Sequence, residues 1–286
     1  MAYLVLSGYA LSRYPGVLGG LARGKSLHAA LYSKRMKDWI RTRSFYKVHP
    51  KRIFGFQIYL NVDDMSPISS SIATLGWFSL ARTELLRKVL KPGMTFVDVG
   101  ANIGYYTLLA ERIIGPSGTV IAFEPEPKNF ALLSKTVSLN NLPNVRIYQQ
   151  AVSDRDGDVD LFLSDETTPE AHKITDQGGM KKVKVTSVTL DKLHALLGQK
   201  RIDFVKIHVG VEPQILLGSR KLLKEQSPII MMIFARKIWE GQFDLLEHIQ
   251  SIYSIHKVVE SPFLAHEISL TSLLMEDLTE ILLLPK

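Results

Sequence analysis

The chain of 286 residues contains no cysteine. That excludes a disulfide framework, a thiolate zinc site and any mechanism built on a cysteine nucleophile. Long apolar runs are missing too. The opening MAYLVLSGYAL is cut short by Arg13 and Pro15, well below the ~20 residues of a membrane-spanning helix. Its positive charges follow the apolar stretch, the reverse of a secretory signal, so a cytoplasmic protein is expected. His172, His194 and His208 lack ligand-like spacing, and no metal is expected. Acid is scarce at the front of the chain. Residues 1–52 hold eleven Lys and Arg against Asp38 alone, which leaves the remainder at a net −3 within a total of +7.

The basic segment, residues 1–50, reads as a helical N-terminal extension to one domain over residues 51–286. Ser26 to Arg43 has the composition of a basic amphipathic helix, which predicts peripheral contact with an anionic membrane. A solvated helical face is the plainer alternative. Beyond it, RIFGFQIYLN at 52–61 has strand character, and a helix over 80–90 ends at KPG. Apolar strands and amphipathic helices then alternate. Strands are expected at MTFVDV, 119–123, 145–148, 203–207 and 229–234, with helices over 103–114, 127–139 and 213–224. A helix over 243–252, a strand near 256–259 and ILLLP at 281–285 close the chain. This pattern predicts an α/β fold, Rossmann-like and doubly wound. Its sheet would be mostly parallel and seven-stranded, with helices on both faces. The polar, unpatterned segment 164–182 is long for an internal connection and is expected to be a lid or a disordered loop.

The stretch TFVDVGANIGYYTLL carries the chemistry. A strand ends at Asp98, Gly100 and Gly104 frame a tight turn through Ala101 and Asn102, and a helix starts near Tyr105. The spacing is GxxxG after an acid, not the GxGxxG of dinucleotide sites. An aspartate there would repel a pyrophosphate and attract an ammonium or sulfonium. The next strand ends in Glu124 and Pro125, 24 residues after Gly100, near the offset at which a carboxylate meets a ribose. The third strand ends at Gln150, Ala151 and Val152, positions that commonly flank an adenine. Together these predict an S-adenosylmethionine site.

These stretches resemble the FkbM-type methyltransferases. The likeness rests on KPGMTFVDVGANIGYYTLLA, IAFEPEPKNFALLSKTVSLN, NVRIYQQAVSDRDGDVDLF, VTLDKL, IDFVKIHVGVEPQILLG and the closing TEILLLPK. It implies the class I methyltransferase fold, S-adenosylmethionine as cofactor, and O-methylation of a sugar, glycan, lipid-linked or natural-product hydroxyl. The family reads KIDVEGAEP after the fourth strand, whereas this chain reads Lys206-Ile207-His208-Val209-Gly210-Val211-Glu212-Pro213. His208 stands at the aspartate position, and the segment is one residue short. His208 is therefore a candidate general base, with Lys206 and Glu212 as further catalytic candidates. The same departure raises a second reading, a cofactor-binding protein with weakened or lost catalysis. A nucleic-acid acceptor is a third. The basic charge favours it, and the lack of an Asn/Asp-Pro-Pro-Tyr run after the fourth strand opposes it.

Overall fold

A computed structural model describes residues 50–61, 67–163, 181–197, 200–259 and 265–286. The expectations placed on residues 1–49, and on 164–180 as a lid, lie outside them. The described chain opens with a hairpin of β1 (Lys51–Ile53) and β2 (Phe56–Ile58), turned by Phe54 and Gly55 at positive φ. Helices α1 (Pro67–Leu75) and α2 (Leu80–Val89) follow.

The alternation read from the sequence is then realised. The run comprises β3 (Thr95–Val99), α3 (Tyr105–Ile114), β4 (Thr119–Phe123), α4 (Pro127–Leu139) and β5 (Val145–Tyr148). After an insertion come α5 (Leu190–Leu196), β9 (Phe204–Ile207), α6 (Glu212–Leu217), α7 (Arg220–Gln226) and β10 (Ile229–Ala235). The chain continues through α8 (Arg236–Trp239), α9 (Phe243–Ile252), β11 (Tyr253–Val258), β12 (Ala265–Glu267), α10 (Leu270–Leu273) and β13 (Leu278–Pro285).

The main sheet has eight strands in the order β12-β11-β13-β10-β9-β3-β4-β5. Strands β10, β9, β3, β4 and β5 run parallel, while β13, β11 and β12 pair antiparallel. The eighth strand is β12, three residues paired with β11 at the edge, too short to announce itself by pattern. Strand alternation sends Phe96, Phe204, Met231 and Leu282 to one face, under α3 and α2. Val97, Val205, Met232 and Leu283 point to the other, against α6, α7 and α9. The order in which strands are added reverses about β3, whose neighbours are β4 and β9, and ligands of such sheets bind beyond the strand ends at that switch.

Two segments depart from expectation. β6 (Ala151–Val152), β7 (Gly157–Leu163) and β8 (Lys181–Val188) form a separate sheet in the order β6-β8-β7, so Lys181 and Lys182 open a strand instead of closing a loop. The helix expected over 213–224 is two helices. Gly218 lies between them, where an added Cβ would fall 2.3 Å from the Ser153 carbonyl oxygen. Among the described residues no helix is long and apolar enough to cross a membrane.

Candidate functional site

The turn after β3 is pinned to β4. The N–H groups of Gly100 and Ala101 both donate to the Phe123 carbonyl, at 3.0 and 2.9 Å. Gly100 has φ +76°, and an added Cβ would meet Val209 Cγ1 at 2.5 Å and the His208 carbonyl oxygen at 2.7 Å. Gly104 has φ +98°, with Leu133 2.8 Å from its missing Cβ. Both glycines therefore serve backbone conformation and close packing of neighbouring elements.

Glu124 follows β4 directly. Its two oxygens accept from the backbone N–H groups of Asn102 (2.8 Å) and Glu126 (3.0 Å). Asn102 sits at φ +53°, a conformation asparagine tolerates, and this turns its N–H toward the carboxylate. Glu126 in turn caps α4 by accepting from Asn129 N at 2.6 Å. Burial pushes the Glu124 carboxyl up to about 7, with the two N–H donors pulling the other way.

An open cleft of about 610 Å³, counting the space that merges with solvent, lies over these strand ends. Of the predicted cofactor residues, Gly100, Asn102, Glu124, Pro125, Gln150, Ala151 and Val152 line it, and so does His208. Val99, Phe123, Leu161 and Val211 add apolar wall that the sequence reading did not assign. Leu161 comes from β7, which carried no strand signal strong enough to place it there. No Lys or Arg is among the cleft's described lining residues, so a pyrophosphate would find no cation there.

Asp98, Ala101, Gly104, Tyr105, Lys206 and Glu212 do not line the cleft. Asp98 is fully buried, 2.9 Å from Lys206 Nζ, and accepts from Thr107 Oγ1 at 2.8 Å. Its charge is already met inside the protein, so it is not the free anion for a ligand cation that the sequence suggested. Lys206 also donates to the carbonyls of Gly100 (2.8 Å) and Val99 (3.1 Å), and it stands 5.5 Å over the Tyr106 ring. The Asp98–Lys206 pair thus braces the turn from within the sheet. Glu212 is buried and accepts from Val209 N (3.1 Å) and Gly210 N (2.8 Å), which shapes the loop after β9. Its carboxyl is raised by burial.

His208 is half-buried at the cleft wall. Burial first, then the positive charges of Arg82 and Lys206, hold its imidazole well below the ordinary histidine range. It is neutral at physiological pH and can accept a proton. Beside it, and absent from the sequence reading, Arg82 Nε of α2 donates to Glu280 of β13. The cleft therefore combines an apolar wall, one carboxylate with lone pairs to spare for two hydroxyls, and a neutral imidazole.

Comparison with known proteins places these features in context. The chain is 29% identical over 144 residues to a protein named methyltransferase 1 of Beauveria bassiana, covering 43% of this chain and 57% of that one. It is also 29% identical over 144 residues to ribosomal RNA large subunit methyltransferase E of Oleidesulfovibrio alaskensis, covering 47% and 65%. The chain thus spans less than two thirds of the length of either relative. A solved FkbM methyltransferase from Methylobacillus flagellatus overlaps 86% of this chain and 57% of its own, at 14% identity and a TM-score of 0.44. The family pattern described as the methyltransferase FkbM domain matches residues 98–259, which begin at the braced aspartate and contain Glu124 and His208. That is more than half of the sequence, and the chain belongs to the FkbM methyltransferase domain family.

Proposed function

We propose that this protein transfers a methyl group from S-adenosylmethionine to a hydroxyl of a small-molecule or glycan acceptor. The observation that carries the reading is Glu124, a buried carboxylate held by two backbone N–H groups at the wall of an otherwise apolar cleft. The residues present fit the cofactor. Glu124 would accept from both ribose hydroxyls, Gln150, Ala151 and Val152 would border the adenine, and Asn102 would face the ribose edge. When bound, the cofactor supplies an electrophilic methyl on sulfonium, so the protein's share is alignment and deprotonation.

His208 is the group that lines this cleft and can take a proton. Its lowered basicity keeps the imidazole unprotonated and able to take the acceptor's hydroxyl proton as that oxygen attacks, though as a weaker base than an ordinary histidine. Glu212 is engaged by the loop it shapes, and Lys206 by Asp98 and two carbonyls. We therefore read both as positioning residues. A ribosomal RNA acceptor, as named for one relative, is disfavoured because the described cleft wall offers a phosphate backbone no basic side chain.

The deciding experiment is a calorimetric titration with S-adenosylmethionine, S-adenosylhomocysteine and NAD, repeated on Glu124→Ala. We expect micromolar binding of the first two and none of NAD. The variant should lose about 2–3 kcal/mol, roughly 30- to 150-fold, the worth of hydrogen bonds to a charged acceptor. Absence of binding by a folded protein would sink the proposal. Cofactor binding without transfer to any hydroxyl acceptor would instead leave the non-catalytic reading standing.

A further inference from the structure

Four charged side chains gather on the sheet face under α2 and α3, and none of them lines the cofactor cleft. Asp98 and Lys206 are register partners on β3 and β9, and Lys206 pairs in turn with Met231 of β10. Glu280 opposes Ile233, two residues further along β10 toward the ligand edge of the sheet. It is within reach of the edge only because β13 runs antiparallel, which brings the start of that strand to the ends of the parallel ones. Arg82 reaches down from α2 and meets it. The two pairs differ in access. Asp98 and Lys206 side chains are 0% and 3% exposed, whereas Glu280 and Arg82 are 11% and 18% exposed.

The chemistry of the outer pair is only partly spent. Nε of Arg82 is committed to Glu280, while its Nη groups carry four further N–H donors in a fixed plane. Glu280 keeps lone pairs on both oxygens. The Tyr106 hydroxyl, fully buried, faces the guanidinium without a hydrogen bond of good geometry. His208 lies in the field of Arg82 and also lines the cofactor cleft, so it joins the two regions.

We infer that Arg82 and Glu280 form a specificity-determining pair that reads two neighbouring hydroxyls of the acceptor, and so presents one of them to His208. Resting on the transfer reaction proposed above, this names what the acceptor must carry: a neutral vicinal diol. Arg82 donates to one hydroxyl oxygen while Glu280 accepts from the next. The charge arithmetic selects against an anion. Arg82 is neutralised by Glu280 and Lys206 by Asp98, so a phosphate at this place would meet a carboxylate with no surplus cation to offset it.

The test is ligand-observed saturation-transfer NMR on the protein loaded with S-adenosylhomocysteine. The probes are methyl glycosides of gluco, manno and galacto configuration, their monodeoxy analogues, and glucose 6-phosphate as the anionic comparison. We expect transfer to at least one intact glycoside, loss of it in a monodeoxy analogue, and none to the phosphate. Arg82→Met/Glu280→Leu replaces the pair by apolar groups of similar length and keeps the fold. That variant should retain S-adenosylhomocysteine affinity and thermal midpoint while glycoside binding falls at least tenfold. Arg82→Lys keeps the charge, loses the planar fork, and should weaken the glycosides as well. The inference is overturned if the double variant binds the glycosides as before, if the phosphate binds in their place, or if none of the probes binds the loaded protein. Failure of S-adenosylhomocysteine itself to bind would be a different result. It would reject the cofactor reading, and this inference with it.

Discussion

The two flanks of the cleft treat charge differently. On the β4 flank, Glu124 is held by backbone N–H groups and, among the described residues, forms no salt bridge. On the β9 flank two ion pairs match the charges, Lys206 with Asp98 and Arg82 with Glu280, while Glu212, like Glu124, is held by backbone N–H groups. Burial without a counter-ion costs free energy, and Glu124 shows that cost as a carboxyl raised to about 7. A fold retains such a group where it shapes a loop, as Glu212 does, or where a ligand offsets the cost. The matched charges hold backbone in place and cost less to keep. Under the function proposed above, the difference would separate a side of the cleft that is completed by binding from a side that is complete beforehand.

Breaking the matched side should have the largest effect. Lys206→Met leaves Asp98 buried beside no cation and frees the carbonyls of Val99 and Gly100. We expect a loss of about 3–5 kcal/mol in urea unfolding. The companion Asp98→Leu/Lys206→Met should recover most of that loss, since the unpaired charge is gone. Recovery of stability without recovery of cofactor affinity would locate the pair's role in shaping the turn.

Next in size is the joint between the flanks. His208→Ala should lower the rate of methyl transfer by about 10²-fold while S-adenosylhomocysteine affinity stays within about threefold, since the backbone of the loop is unchanged. His208→Asp places the family's acid at this position and should keep measurable transfer. An equal loss of rate and affinity in His208→Ala would show the imidazole to be part of the cofactor wall instead.

The smallest effect is also the one that sharpens the contrast most. Ribose hydroxyls donate to the carboxylate form of Glu124, so S-adenosylhomocysteine affinity should be flat above pH 7 and fall below it. The slope should approach about tenfold per pH unit. Folding of the unliganded protein should show the opposite slope. The folded carboxyl holds its proton more tightly than the unfolded one at 4.5, so stability contributed by this group is present below 4.5 and declines as pH rises toward 7. Glu124→Gln should flatten both profiles, by calorimetry and by thermal unfolding respectively.

The elements of the β4 flank were largely legible in the sequence, because its parts are local. A strand, a GxxxG turn, a helix and an acid at the next strand end are read within thirty residues. The other flank was not, because its meaning depends on partners far along the chain. Asp98 pairs with a lysine from a different strand, 108 positions on, and only the register of β3 against β9 reveals it. Arg82 and Glu280 are separated by 198 residues and carry no motif. The parallel strands were found from their apolar runs. β7 and β8 escaped because their outer face alternates Asp158 and Asp160 with Lys182, Lys184 and Thr186, a charged ladder that reads as loop. Helix 213–224 was overextended because propensity gave no warning of the backbone contact at Gly218.

The place of β13 has a consequence for how the molecule is made. In the finished sheet it lies between β10 and β11, pairing with both along most of its length. A ribosome delivers β11 about twenty residues before β13 begins. Until β13 emerges, the growing sheet has an open edge at β10, and the hairpin of β11 and β12 has nothing to join. Glu280 arrives with that same strand. Completion of the hydrophobic edge and arrival of the partner for Arg82 are therefore a single event, and a chain stalled before β13 would lack both.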